Sequence, residues 1–186
     1  MGLNSKQFDY SLLRKCGSNV FISQQVEIRR PHLVDVGNNV AIDTGTYITT
    51  EAIVGDYIHI GPYVVIIGGE KSKVEVENFA SIAAGTRILA GSDEFMGEGL
   101  TSVTVPEAYR DRVKHSVVRI ERFVGVGANV VILPGVILAE GSVVGAGSLV
   151  TKNTEPWTIY VGVPARPVKL RKREKMIAFA KELGYE

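Results

Sequence analysis

Residues 124–153 read VGVGAN-VVILPG-VILAEG-SVVGAG-SLVTKN, five consecutive hexads whose third residue is always Val, Ile or Leu. The register runs back one more hexad, to VRIERF from Val118. Before an interruption at 92–117 it resumes as VEVENF, ASIAAG and TRILAG, residues 74–91. Before a second, EKSK at 70–73, stand six more from Val34: VDVGNN, VAIDTG, TYITTE, AIVGDY, IHIGPY and VVIIGG. All fifteen hexads carry Val, Ile or Leu in third place. For a chain that is 45% hydrophobic, the chance of this is on the order of 10⁻⁵.

First and third positions lie two apart, so both face one side of a short strand. So narrow a strip buries nothing by itself. Stacked coils solve this, with each strand pairing with the one three hexads away at about 4.8 Å. Six residues with a turn make one side of a triangle, and three sides make a coil. The expected fold is all-β, a parallel β-helix with aliphatic ladders running up its interior. Two leading hexads, VFISQQ from Val20 and VEIRRP from Val26, also fit, with an extra pair before Val34. Counted in threes, that pair, EKSK and the 92–117 loop all fall at one corner, between a third side and a first. Either corners simply tolerate insertions, or one edge of the prism has been built up to wall a site.

The flanks read as helical. Ser5 to Arg14 is a short polar segment ending near Gly17, a C-cap residue. Val168 to Leu183 carries Leu170, Ile177, Phe179 and Leu183 among Lys, Arg and Glu, the pattern of an amphipathic helix expected to cap the open last coil. The expected organisation is an N-terminal helical segment at 1–17, a β-helix at 18–161 with the 92–117 loop inserted, and a C-terminal tail and helix at 162–186.

Composition excludes several function classes. No apolar run reaches the roughly 18–20 residues of a membrane-spanning helix. MGLNSKQFDYSLLRKCG lacks the apolar stretch of a signal peptide, which predicts a cytoplasmic protein. Cys16 is the single cysteine, so no intrachain disulfide can form. His32, His59 and His115 stand 27 and 56 residues apart on ladder positions that do not converge; no metal site is expected, and with it goes a zinc-dependent carbonic anhydrase. The net charge is +1, yet Ala165 to Glu186 holds seven basic residues against three acidic, a balance of +4 that leaves the remainder at −3. A basic tail on a mildly acidic body fits a local anion site; nucleic acid would call for a broader basic face with aromatic platforms.

The hexads of 124–153, followed by YVGVPARPVK, resemble the hexapeptide-repeat acyltransferase superfamily over about Val20 to Lys172. The DEF at 93–95, the PEAY at 106–109 and the tail WTIYVGVPARPVKLRKRE are similar to bacterial N-acyltransferases of nucleotide-linked 4-amino-4,6-dideoxy sugars, of the anthrose-pathway type. The resemblance implies a left-handed coil, against the usual right-handed crossover. It also implies a homotrimer, with acyl-CoA (acetyl-CoA the expected donor) as a co-substrate in grooves between subunits and a nucleotide-linked amino sugar beside it. No permanently bound cofactor is implied. O-acetylation of a saccharide hydroxyl, in surface polysaccharide synthesis, is the alternative reaction, and a non-catalytic scaffold the alternative class.

One departure separates the two reactions. Sugar and xenobiotic O-acetyltransferases of this superfamily use a loop histidine as general base, whereas AGSDEFMGEG has none and His115 lies at the loop's far end. A hydroxyl needs a base to attack a thioester; a neutral amine does not. The absence favours N-acylation. The expected catalytic residues are Asp93, aligned with the family's acidic position, Glu94 beside it, and His59. Ser81 and Glu140 are expected at the sugar, Glu140 by meeting a neighbouring subunit's loop. Gly125, Gly127, Ala146 and Gly147 would leave a smooth groove for pantetheine, and Arg166, Lys169, Arg171 and Arg173 would meet the phosphates of CoA. Trp157 is expected to anchor the tail.

Overall fold

The computed structural model describes residues 7–185. The chain winds as a left-handed parallel β-helix whose three sides are sheets of six, eight and six strands, hydrogen-bonded to the coils above and below. Side one holds the strands of hexads such as Val34–Val36 and Val118–Ile120, side two Ala41–Ile42 and Gly125–Val126, and side three Tyr47–Ile48 and Val131–Ile132. All fifteen third-position residues are buried, from Val36 to Val150, and so are all fifteen first-position residues. Four of the latter are hydroxyl residues, Thr46, Thr86, Ser142 and Ser148, each spending its oxygen on a hydrogen bond.

The coil begins earlier than expected. The described part of the N-terminal segment holds one 3-10 turn, Tyr10–Leu12, in place of the helix expected over Ser5 to Arg14; Ser5 and Lys6 lie outside the described residues. Lys15–Cys16 is already a side-one strand paired with Asp35–Val36. RKCGSN is thus a degenerate hexad with Cys16 in third place. Gly17 follows it because a Cβ there would sit 2.5 Å from the carbonyl oxygen of Gly37.

The tail also departs from expectation. Arg166–Leu170 is a strand, antiparallel to Thr158–Val161 at the top of side two, and the helix is only Glu174–Glu182. Pro167 has no N–H to give a helix. Nor does the helix cap the last coil. Tyr160 does that, buried in the third-position ladder with its hydroxyl oxygen accepting from the Glu155 N–H. The helix turns back along the corner between sides one and two and packs there through Met176, Ile177 and Ala180.

That corner explains the turn. The last residue of each side-one segment takes a left-handed backbone, and at successive coils it is Asn19, Asn39, Tyr57, Phe79, Phe123, Gly141 and Trp157. Non-glycine residues pay roughly 1 kcal/mol or more for this conformation. Here stacking offsets it: Tyr57 lies 5.2 Å from Phe79, and Phe79 5.3 Å from Phe123, ring to ring. Gly141 interrupts the column because a Cβ would meet the Trp157 ring at 2.4 Å.

Candidate functional site

The outer face of side two is built from second-position residues, which stack in register as Phe21, Ala41, His59, Ser81, Gly125, Val143 and Ile159. Its upper half is smooth. Beside Gly125 and Val143 run Ala83, Gly127 and Gly145, then Ala84, Ala128 and Ala146. The glycines here have different causes. Gly127 is obligatory, since a Cβ would stand 2.5 Å from the Ala146 nitrogen, and Gly147 sits in open space with a left-handed φ of +69°. Gly125 has neither reason: its Cβ would meet nothing closer than Val143 at 3.6 Å, an ordinary contact, and its φ is not positive. The fold leaves room for a side chain that the sequence withholds.

At the top of this face, the tail strand places Lys169 opposite Ile159 and Arg166 opposite Val161. Paired residues share a face, so both cations continue the outward column. Arg171 does not join them. Its guanidinium donates to the carbonyl oxygens of Phe123 (2.7 Å) and Gly141 (3.1 Å), and burial lowers its pKa. It fastens the tail to the aromatic corner. Arg173 is exposed at the helix N-terminus.

Further down the face, the His59 ring stands 2.8 Å (Nε2) from Asp43 Oδ2 and one rung from Ser81. Asp43 was not singled out from the sequence, although as the fourth residue of a side-two hexad it necessarily flanks the second residue of the coil above.

The loop leaves from the opposite edge. Gly91–Asp93 and Val113–His115 form an antiparallel ribbon that projects from the corner between sides three and one. Asp93 is partly buried opposite Val113, and Glu94 is exposed, its N–H donating to the Arg112 carbonyl. The ribbon also brings in His115, paired with Gly91 and with its Nδ1 3.2 Å from Ser72 Oγ. Sequence distance hid this, because both ends of a corner insertion must return to the same corner. Side two is the face turned away from that corner. Within one chain, therefore, Asp93 and Glu94 do not meet His59, Ser81 or Gly125. Glu140 sits beside Gly141 at the aromatic corner between sides one and two, paired with Arg122 at 3.2 Å.

Cys16 is buried in part in the first coil, and burial raises its thiol pKa, which disfavours a nucleophilic thiolate. The outer faces also differ in charge. Side one is laced with ion pairs, Arg14 with Asp35 and Glu51, and Glu75 with Lys73 and Arg119. Side three carries the half-buried Val65, Val131 and Leu149, with the exposed Arg87 between the first two.

No protein-family model matches this chain. It is 32% identical over 164 residues to the dTDP-4-amino-4,6-dideoxy-D-glucose acyltransferase of Escherichia coli, 87% of this chain and 84% of that protein. Among solved structures it is similar to AntD, an N-acyltransferase from Bacillus cereus, in complex with dTDP and 3-hydroxybutyryl-CoA: TM-score 0.89, 35% identity, 96% of each chain. A mutant of AntD bound to dTDP-4-amino-4,6-dideoxyglucose and coenzyme A gives a TM-score of 0.90 at 34% identity, covering 98% and 99% of the two chains. The hexapeptide-repeat acetyltransferase VCA0836 of Vibrio cholerae, 21% identical over 88% of this chain and 74% of its own, shares the fold with a TM-score of 0.58.

Proposed function

Because this chain belongs to the family of dTDP-4-amino-4,6-dideoxyglucose acyltransferases, we propose that it transfers the acyl group of an acyl-CoA to the amino group of a dTDP-linked 4-amino-4,6-dideoxy sugar, in the cytoplasm. The observation that carries this reading is Gly125. A smooth strip with an uncrowded glycine at its centre and Arg166 and Lys169 at its top suits a pantetheine arm lying along side two with its phosphates upward. The thioester then falls near the Ser81–Gly125 rungs, where a backbone N–H would meet the oxyanion.

The amine attacks the thioester carbonyl directly; the C–N bond forms, the C–S bond breaks, and CoA leaves as a thiolate able to take a proton. Asp93 orients the amine and favours loss of its proton. Since Asp93 projects from the edge opposite side two, it acts on a neighbour's groove. A homotrimer satisfies this, with side three of one subunit, where Val65, Val131 and Leu149 flank Arg87, against side two of the next and the ion-paired side one in solvent. Arg171 belongs to the anchor in this reading, so CoA phosphates fall to Arg166, Lys169 and Arg173.

His115 beside the loop's base supports a second reading, general-base transfer to a hydroxyl. The test is product mass spectrometry after incubation with a panel of nucleotide-linked amino sugars and acyl-CoAs, acetyl-CoA first. The expected product gains one acyl mass and resists mild hydroxylamine. A hydroxylamine-labile product establishes O-acylation, and no gain on any amino sugar overturns the proposal.

A further inference from the structure

Two exposed apolar surfaces stand on different edges of the prism, each uncovered by the chain that carries it. On the loop, Leu100, Val103 and Tyr109 are 62%, 84% and 66% exposed. They crown a tip that closes on itself, through the bridge between Leu100 and Arg110 and the 3-10 turn Glu107–Tyr109. On the C-terminal helix, Phe179 and Leu183 are more than half exposed. With Lys175 they stand four apart on one stripe, beside the face that packs through Met176, Ile177 and Ala180. Single exposed apolar residues need no explanation, but clusters of them mark contact surfaces. The two surfaces also differ in sign. Residues 94–112 hold four acidic residues against two basic, and residues 171–182 hold five basic against two acidic. Glu107 on the tip and Lys175 on the stripe are both exposed and have no ion-pair partner among the described residues.

Symmetry brings these surfaces together. Setting side three of one subunit against side two of the next turns the edge between those two sides toward the threefold axis. The loop edge of one subunit, between sides three and one, then lies beside the helix edge of the next, between sides one and two. Heights agree as well. The loop leaves between the coil that carries Phe79 and the coil that carries Phe123. The helix brackets that level. Arg171, just before it, is bonded to the Phe123 carbonyl, and Tyr185, just after it, packs edge-on against Phe79 and Tyr57 at 5.1 and 5.7 Å. A threefold axis parallel to the prisms preserves height, so tip and helix meet. We infer that Leu100, Val103 and Tyr109 of one subunit dock on Phe179 and Leu183 of the next, with Glu107 facing Lys175. The helix thereby holds its neighbour's Asp93 over the groove beside it; it touches no substrate and acts as a positioning element. The inference rests on the homotrimer and on Asp93 acting across subunits, and it names what seats the loop there.

The test is cross-linking of the full chain carrying Tyr109→Cys together with Phe179→Cys, both at exposed positions, by a short bis-maleimide. Covalent dimers and trimers are expected on denaturing gels from the double variant, and only monomers from either single variant, which also reports any contribution of Cys16. This readout works whether or not any amino sugar is acylated. A trimer by light scattering that gives no linked subunits overturns the docking and leaves the trimer standing; a stable monomer overturns both. Kinetics read the positioning role. Phe179→Ser combined with Leu183→Ser should lower kcat about tenfold, with the trimer and the KM for acyl-CoA unchanged, while Phe179→Leu keeps the apolar contact and the wild-type kcat. An undiminished kcat in the serine variant, or an equal loss in Phe179→Leu, would overturn that role.

Discussion

Tyr185 donates its hydroxyl hydrogen to Asp56 Oδ2 at 2.6 Å, closing a contact across 129 positions of the chain. The same carboxylate accepts from the Asn38 N–H at 2.6 Å, so one acidic side chain joins two coils and the C-terminal helix. Burial works to raise the pKa of Asp56, but the hydrogen bonds from Asn38 and Tyr185 outweigh it and hold the group below its ordinary value. Tyr185 is pushed up to about 12 by the same bond.

The first prediction concerns this clasp. A depressed carboxylate stabilises above its unfolded pKa, about 3.9, and loses that contribution as pH falls through the folded value. A raised phenol contributes fully below about 10 and loses its contribution as pH climbs through about 12. Tyr185→Phe should lower the melting temperature by about 2 °C across neutral pH. The difference from wild type should shrink in acid and above about pH 10. A pH-independent difference would show that the ring, and not its hydroxyl, holds the helix.

Gly125→Val separates groove from fold. The position has space for a side chain, so the melting temperature should stay within about 2 °C, while kcat/KM for acyl-CoA falls by about 10²-fold or more. Thermal shift with CoA reads the same loss independently. A variant that binds CoA normally would clear side two of the donor.

Asp93→Asn preserves shape and removes charge. It should lower kcat/KM for the amine by about 10²-fold, the lower range for acid–base groups. Because the groove and the carboxylate would come from different subunits, mixing Asp93→Asn with Gly125→Val subunits should restore part of the activity that each lacks alone. Mixtures that stay inactive after subunit exchange would place both residues in one chain's site.

Arg171 should behave differently from its basic neighbours. Arg171→Ala leaves the Phe123 and Gly141 carbonyls without this donor and should cost about 2 kcal/mol of stability, with a red shift in the fluorescence of Trp157, the single tryptophan. Lys169→Ala should leave stability unchanged and raise the KM for acyl-CoA, more so at low salt. Equal melting temperatures for wild type and Arg171→Ala would remove the anchor role.

Ile132 is fully buried in the ladder of side three. Ile132→Ala should cost about 3–4 kcal/mol through lost transfer energy and the cavity left between coils. Urea unfolding measures it, and a loss under about 1 kcal/mol would mean that the column collapses to fill the space.

What the sequence disclosed followed from periodicity. Two positions in six give the interior, the third always Val, Ile or Leu and the first apolar or a hydroxyl residue, and every one is buried. The corner shared by the insertions was legible too, because coils must stay in register. The flanks were not. Val168 and Leu170 fit a helical pattern as well as a strand, and the pairing with Thr158–Val161 decided between them. The role of Arg171 was hidden for a similar reason: in a run of basic residues, only packing tells which one turns inward. The aromatic column could have been read from the sixth positions, Tyr57, Phe79 and Phe123, had these been aligned by coil rather than by hexad.

The strand Lys73–Val76 pairs with Glu51–Val54 below and Val117–Ile120 above, although the four-residue insertion 70–73 interrupts the hexads where it starts and a 26-residue loop lies between the coils it joins. Above the loop, the N–H of Ser116 and its hydroxyl both return to the Ala90 carbonyl, so the two feet are stitched at the point of departure. The ladder therefore counts rungs, not residues. Segments between Glu94 and Arg112 can be exchanged for others of different length without moving a single interior side chain. Such a grafting point allows one scaffold to carry different loops while side two stays as it is.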